Sequence, residues 1–239
     1  MHIERFQIAE RFHGPPRSGN GGYSCGRVAQ HLQGTVAVRL KAPPPLDTEL
    51  RLETDEQEAR LFDGSTLVAQ ARSSTLNLTA PRCPSYEEAA QASKSYIGFE
   101  MHSFPSCFVC GPRREAHDGL RIFAGPLQGS STIAAPWIPD ASLADASGHV
   151  KTEFLWAALD CAGAFAHFPL PEGVAIVLGE LTASIRGRAR AGERCIVLGW
   201  PLGSDGRKRL SGTAVYAADG RLIAVAQAVW IEVPSQSWG

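Results

Sequence analysis

Residues 154–166 are the stretch that most restricts how this chain can fold. Asp160, at its midpoint, is the one polar side chain there, and apart from Gly163 every other residue is apolar or Cys. A helix that is apolar on every face must be buried, because it has no side for water. Thirteen residues exceed the usual strand of about 4–8, and Thr152 and Glu153 suit a helix start. The sequence therefore predicts a buried helix with a carboxylate in its middle.

Asp160 needs an explanation in such surroundings. A carboxylate buried among apolar groups costs free energy unless it is hydrogen-bonded or neutralised. One interpretation is a structural Asp that nearby backbone N–H groups satisfy. We favour the other interpretation, a functional group, because ionisable residues with perturbed pKa values cluster at active sites.

The composition is that of a folded globular protein, with 44% hydrophobic and 20% charged residues. A net charge of −1 argues against a nucleic-acid or membrane-surface protein. The first residues lack the apolar core of a signal peptide, and no run approaches the roughly 18 apolar residues of a membrane span. Six cysteines without a secretory signal fit reduced thiols, so we expect a cytoplasmic protein.

A second helix is predicted at residues 23–33, preceded by Asn20, Gly21 and Gly22. Asn is a good N-cap residue, and the two glycines would let another group approach the first-turn N–H donors closely. Much of the remaining chain consists of short runs typical of antiparallel strands. The predicted strands are 36–40, 49–53, 58–62, 66–78, 120–123, 131–137, 174–186, 194–200, 208–216 and 221–233.

The two halves of the chain repeat one order of elements. Residues 61–71 resemble residues 217–228 around an Asp-Gly hairpin turn, and each half runs from a loop through a helix to about four strands. We therefore expect two copies of one α+β unit. The predicted division is a first unit at 1–80, a linker at 81–106 with a short exposed helix at 87–95, and a second unit at 107–239.

These features resemble the double-hotdog acyl-CoA thioesterases, in which each of two tandem hotdog units wraps a curved antiparallel sheet around a buried helix. The Asn20-Gly21-Gly22 segment is similar to the His-Gly-Gly helix start of many hotdog thioesterases, with Asn in place of His. Residues 159–163 resemble the helix segment that carries the catalytic Asp or Glu of that superfamily. The Cys-Phe-Val-Cys-Gly run at 107–111 is similar to a segment ahead of hotdog domains in some members.

The resemblance implies a thioesterase with one active site per chain. In the family, a helix N-terminus of one unit faces the carboxylate of its partner, which pairs Asn20, Gly21 and Gly22 with Asp160. The two glycine N–H groups would bind the thioester oxygen. Asp160 would be either the general base or the nucleophile, and the sequence leaves both roles open. The second site that the repeat would form, with the two helices exchanged, has neither the glycine pair nor the carboxylate.

The resemblance also suggests how a substrate would be held. The expected substrate is an acyl thioester of coenzyme A or of an acyl carrier, with no cofactor, and a homodimer or larger assembly is expected. Gln227 resembles a Gln that related enzymes place near the carboxylate, and Thr182 is a candidate hydroxyl. Arg207 is a candidate cation for the phosphates of CoA. Trp156 could line the acyl tunnel or belong to the plain core, and Gln227 could equally face outward from its strand.

Two other functions remain as alternatives. A catalytically silent acyl-CoA or acyl-group binding protein is supported by the missing His ahead of the glycines, although it would not need an ionisable Asp160. Asp160 with His167 would suit a hotdog hydratase or dehydratase, but the hydratase-type motif is absent.

A metal site is not predicted. Cys107 and Cys110, together with His102 or His117, could form half of a zinc site. Structural zinc usually takes four Cys or His ligands, often as two pairs, and there is no second Cys-x-x-Cys.

Overall fold

The computed structural model describes residues 1–238. Four α-helices and eleven strands are the main elements of these residues. The helices are α1 (Gly21–Ala29), α2 (Tyr86–Ser93), α3 (Thr152–Ala158) and α4 (Cys161–Phe165). The strands are β1 (His2–Phe6), β2 (Thr35–Leu40), β3 (Leu50–Thr54), β4 (Glu58–Asp63), β5 (Thr66–Ser73), β6 (Gly125–Pro126), β7 (Ile133–Trp137), β8 (Val174–Ile185), β9 (Cys195–Asp205), β10 (Lys208–Ala217) and β11 (Leu222–Pro234).

All eleven strands belong to one antiparallel sheet, in the order β1-β3-β4-β5-β2-β8-β11-β10-β9-β7-β6. The two halves of the sheet have the same strand order outward from the central pair of β2 and β8: β5, β4 and β3 follow β2, and β11, β10 and β9 follow β8. Within the central pair, Val36 lies opposite Ala183 and Val38 opposite Leu181. Each half contributes a hairpin, β4–β5 or β10–β11, which are the two segments that resemble each other in sequence. The prediction of two repeated α+β units, each with a helix against a curved antiparallel sheet, is confirmed.

The core lies between the sheet and helices α1, α3 and α4. Side chains that face the helices alternate along the strands with side chains on the opposite face, as the pleat of a strand requires. Leu181, Ala183, Ala226 and Ala228 are buried in this main core. No helix in residues 1–238 has the length and apolar character needed to cross a membrane.

The linker predicted at 81–106 packs against the second half of the chain. Helix α2 begins with a capping box between Ser85 and Glu88, a local motif that satisfies N–H groups of its first turn. Its Ala89 and Ala92 are buried on the outer face of the sheet beside Trp200. The helix is therefore not the exposed one that the sequence predicts. The boundaries of the two units stay a prediction, because one sheet runs through both.

Three strand assignments also differ from the prediction, one of them the unpredicted two-residue strand β6. Residues 120–123 form no strand, and their backbone instead follows the Cys-rich segment, with Leu120 and Ile122 donating N–H bonds to the carbonyls of Phe108 and Val109. Strand β1 was not predicted, since its burial alternates only weakly at the edge of the sheet.

The long buried helix is broken at the carboxylate. Helix α3 ends at Ala158 and α4 begins at Cys161, with Asp160 between them at φ −85° and ψ −87°. The carbonyl of Leu159 accepts a hydrogen bond of 2.7 Å from the hydroxyl of Thr213 on β10. That side chain takes the place of the intrahelical donor that a continuous helix would supply. Asp160 is thus a junction residue rather than a mid-helix residue.

Candidate active site

Helices α1 and α3 cross in close contact through two glycines. A Cβ atom added at Gly22 would lie 2.6 Å from Cβ of Asp160, and one added at Gly26 would lie 2.6 Å from Cα of Glu153. Both distances are too short for any side chain. Glycines four residues apart give one helix face a groove that another backbone can enter. The helices run antiparallel, so the N-terminus of α1 meets the end of α3 at Asp160.

The first turn of α1 holds the Asp160 carboxylate. Its Oδ2 accepts a hydrogen bond of 2.7 Å from Nδ2 of Asn20 and one of 3.0 Å from the N–H of Gly22. Asn20 is the N-cap residue, and its Oδ1 accepts the N–H of Tyr23 at 2.9 Å. One Asn side chain therefore caps the helix and orients the carboxylate. The structure thus places Asn20 and Gly22 beside Asp160.

The other carboxylate oxygen is available for chemistry. Oδ1 of Asp160 is buried and has no hydrogen-bond partner among residues 1–238. Burial raises the pKa of Asp160 from 3.8 to about 7, against the opposing effects of the Gly22 N–H and the Asn20 amide. A carboxyl group with this pKa can release and take up a proton near neutral pH, as a general acid–base catalyst requires.

Asp160 lines a small apolar cavity of about 70 Å³. Its walls come from the start of α1, the segment around Cys107, helix α4 and the strands β8 and β11. The side chains that bound it opposite the carboxylate include Phe165, Phe168, Leu178 and Trp230. A second cavity of about 210 Å³ lies alongside, lined by Lys41, Pro43 and Pro44 among others. The two cavities share lining residues, namely Pro15, Gly21, Val177 and Leu178.

The helix start presents one glycine to the cavity. Gly21 lines it, whereas the N–H of Gly22 is used by Asp160. The family resemblance predicts that both N–H groups bind a substrate oxygen. In the structure the N–H of Gly22 holds the carboxylate, and Gly21 is the glycine of this pair that lines the cavity.

Gln227 and Thr182 lie elsewhere. They are paired neighbours on β11 and β8. The residues on either side of Gln227, Ala226 and Ala228, face the helices, so Gln227 and Thr182 lie on the opposite face of the sheet. Neither residue is among those that line the two cavities. The period-two alternation already allowed this outward orientation for Gln227.

The remaining candidates also lie outside the cavity walls. Trp156 is buried on α3, with its Cβ 2.9 Å from the position of a Cβ at Gly26, and it packs in the helix crossing. Arg207 is exposed in the turn between β9 and β10. His167 follows α4 and does not line the Asp160 cavity, so the Asp–His pair of a hydratase is not assembled at this wall.

The sequence assigns no role to Cys161, which lines the cavity with Asp160. His102, Cys107 and Cys110 line it too, and the sequence offers them only as half of a zinc site. His102 accepts the N–H of Phe104 at Nδ1 (3.0 Å) and contacts the carbonyl of Cys110 through Nε2 (3.2 Å), and burial lowers its pKa. In the sequence, the features that point to these cavity residues are the Cys-x-x-Cys-Gly run and the position of Cys161 directly after Asp160.

Comparisons with known proteins define the fold. The sequence matches no protein-family model and no curated protein. The structure is similar to the tesB protein of Mycobacterium avium subspecies paratuberculosis, with a TM-score of 0.62, 11% identity and coverage of 97% of this chain and 93% of that one. It is similar to the acyl-CoA thioesterase II TesB2 of Mycobacterium marinum, with a TM-score of 0.60, 10% identity and the same coverage.

A third similar structure is a conserved protein of unknown function with the hotdog fold from Alicyclobacillus acidocaldarius. The TM-score is 0.60 at 11% identity, and the match covers 97% of this chain and 93% of that one. Identities this low establish an architecture rather than an activity. Because the similarity spans nearly the whole length of each protein and both sequence-repeated halves, this chain has the double-hotdog fold.

Proposed function

We propose that the protein hydrolyses acyl thioesters, with Asp160 as the general base. The observation that carries the proposal is the state of the Asp160 carboxylate. One oxygen is fixed by Asn20 and Gly22, and the other is unpartnered among the described residues at the wall of a cavity. A purely structural Asp would be expected to have both oxygens satisfied. The fold shared with an acyl-CoA thioesterase II adds support by analogy.

In the proposed reaction, Oδ1 of Asp160 takes a proton from a water molecule as the water oxygen adds to the thioester carbonyl carbon. The carbonyl oxygen gains negative charge and is stabilised by the N–H of Gly21 and by the positive end of the α1 dipole. The C–S bond then breaks, and the proton held by Asp160 passes to the departing thiolate. The products are a carboxylic acid and a free thiol, and Asp160 is regenerated.

The sizes of the two cavities suggest how the substrate lies. About 70 Å³ beside Asp160 is well below the 300–1,000 Å³ of a drug-sized ligand site, which favours a short acyl group there. The adjoining cavity would receive the thiol arm, with Lys41 available to a phosphate of coenzyme A. The thioester group, which joins the acyl chain in one cavity to the thiol arm in the other, would lie beside Gly21, which lines both cavities.

The test is thiol release from acyl-CoAs of increasing chain length, with wild type compared with Asp160→Asn. We expect hydrolysis of short acyl-CoAs and a loss of about 10²-fold or more in the variant, the size of a general acid–base contribution. Single turnover in oxygen-18 water separates base from nucleophile. A general base places the label only in the acid product, whereas an anhydride at Asp160 can leave label in the Asp160 peptide.

Tight acyl-CoA binding without hydrolysis of any chain length would overturn the proposal in favour of a silent binding protein. Hydrolysis that survives in Asp160→Asn would move the catalytic assignment to another group.

A further inference from the structure

Three buried thiols from two distant parts of the chain meet beside Asp160. The sulfurs of Cys107, Cys110 and Cys161 all lie within 4.8 Å of one another, and the three residues are buried. The Sγ atoms of Cys107 and Cys161 are 3.7 Å apart. The proposed thioester hydrolysis uses none of these thiols.

A tight turn directs the first two thiols to one side. The N–H of Gly111 donates to the carbonyl of Cys107 at 2.9 Å, which closes the turn. A Cβ atom at Gly111 would lie 2.5 Å from the backbone N of Cys107, so glycine is required there. The third thiol arrives because the helix breaks at Asp160 and starts again at Cys161.

The spacing suits a tetrahedral metal ion better than a disulfide. Zinc binds thiolate sulfur at about 2.3 Å, which in a tetrahedron separates two sulfurs by about 3.8 Å. The sulfurs of a disulfide are about 2.05 Å apart. The observed 3.7 Å between Cys107 and Cys161 agrees with the first value.

A polar donor lies beside the three thiols. Nδ2 of Asn20 is 3.8 Å from the sulfur of Cys107 and donates toward it. Donors directed at a ligand sulfur are a usual feature of the surroundings of thiolate metal sites.

We propose that Cys107, Cys110 and Cys161 bind one Zn²⁺ ion, whose fourth position opens to the Asp160 cavity. Both nitrogens of His102 are occupied by backbone groups, so His102 is not the fourth ligand. A water molecule on the ion could donate to Oδ1 of Asp160, which lines the same cavity and has no partner among residues 1–238. The sequence predicted no metal site because it contains one Cys-x-x-Cys pair. The third ligand comes from outside that pair.

The test uses the full chain without substrate, so its result does not depend on thioesterase activity. Metal content of the purified protein is measured first, and about one Zn per chain is expected. The chelated protein, kept reduced, is then titrated with Co²⁺. Three thiolates give charge-transfer bands in the near ultraviolet and strong visible bands of tetrahedral cobalt, and added Zn²⁺ should abolish both.

Cys161→Ser should weaken Co²⁺ binding by more than about 10²-fold. That loss is larger than the loss on removing a group that only hydrogen-bonds to a metal ligand. The matched control is Cys83→Ser. Cys83 is a half-buried thiol packed against the cluster that contains Ala89, Ala92 and Trp200, so this variant should bind Co²⁺ as wild type does. The surface group of His2, Glu4 and His31 could bind Co²⁺ through N and O atoms, but without thiolate bands.

The proposal is overturned if wild type contains no stoichiometric metal and shows no thiolate–cobalt bands at millimolar Co²⁺. It is also overturned if folded Cys161→Ser keeps the bands at full affinity. If that variant fails to fold, the wild-type titration decides alone, and three thiols that only pack together would give no bands.

Discussion

The side-chain amide of Asn20 donates a 2.7 Å hydrogen bond to Oδ2 of Asp160, across 140 residues of sequence. Asn20 also caps α1 through its other side-chain atom. The position and ionisation of the Asp160 carboxylate are therefore tied to the start of a helix in the other half of the chain.

Asp160→Asn should remove a pH dependence of stability. The pKa of Asp160 is raised in the folded state, to about 7 from 3.8. The protonated form is therefore favoured by folding, and its contribution to stability is complete below about pH 4 and lost as the pH rises through 7. Urea unfolding of metal-free wild type between pH 4 and 8 should show this decline. The Asn variant should show less of it, and equal slopes would contradict the raised pKa.

Catalytic activity should rise with pH over the range in which the Asp160 contribution to stability falls. A general base must be ionised, so kcat/KM of the chelated enzyme should rise with pH and reach half its maximum near pH 7. The measurement is initial-rate thiol release across pH 5 to 9 with one short acyl-CoA. A rate that stays flat from pH 5 to 9 would contradict a general base whose pKa is raised to about 7.

Asn20→Ser should separate capping from positioning. Serine is also a good N-cap, so the stability of α1 should change little. The variant loses the amide that donates to Asp160. A hydrogen bond to a charged group contributes about 1.5 kcal/mol, so its loss should lower the rate about tenfold. The midpoint of the pH–rate profile should also move upward, because the Asn20 bond lowers the pKa of Asp160. Unchanged midpoint and rate would contradict a positioning role.

Gly22→Ala and Gly26→Ala form a matched pair in the helix crossing. Each added methyl group meets atoms of α3 or the following junction at 2.6 Å, so each should cost about 1–3 kcal/mol and lower Tm. Only Gly22 contacts Asp160. Well below Tm, Gly22→Ala should therefore lose kcat, while Gly26→Ala should keep it. Equal kcat losses would show that the crossing as a whole, rather than the Gly22 contact, controls activity.

Phe165→Leu should shift the acyl-chain preference. Phe165 lines the Asp160 cavity, and a smaller side chain there leaves more room for the acyl group. The ratio of kcat/KM for a longer chain to that for a short chain should rise about tenfold, the scale of one methylene in a fitted pocket. Phe154→Leu is the control, since Phe154 packs against Phe12 and Tyr23 and does not line the cavity. A similar shift in both variants would mean that the acyl group lies elsewhere.

The sequence predicted the strongest local patterns well. Strands β2–β5 and β7–β11 were located by alternation and turn residues, because those signals act within a few residues. The continuous helix through Asp160 was wrong at its centre, where the Thr213 hydroxyl on a distant strand replaces a helical donor. Gln227 was uncertain because alternation identifies two faces of a strand but not which of them faces the helices.

The sequence by itself determined that a largely helical apolar stretch around one carboxylate is buried and that a capped glycine pair starts another helix. It also determined that two similar units follow each other, since periodicity, capping and repetition are local properties. Only the tertiary structure decided that Gly22 holds Asp160 while Gly21 lines the cavity, and that Cys161 joins Cys107. Those relationships depend on how two helices cross at contact distance, and the crossing is set by the packing of residues far apart in the chain.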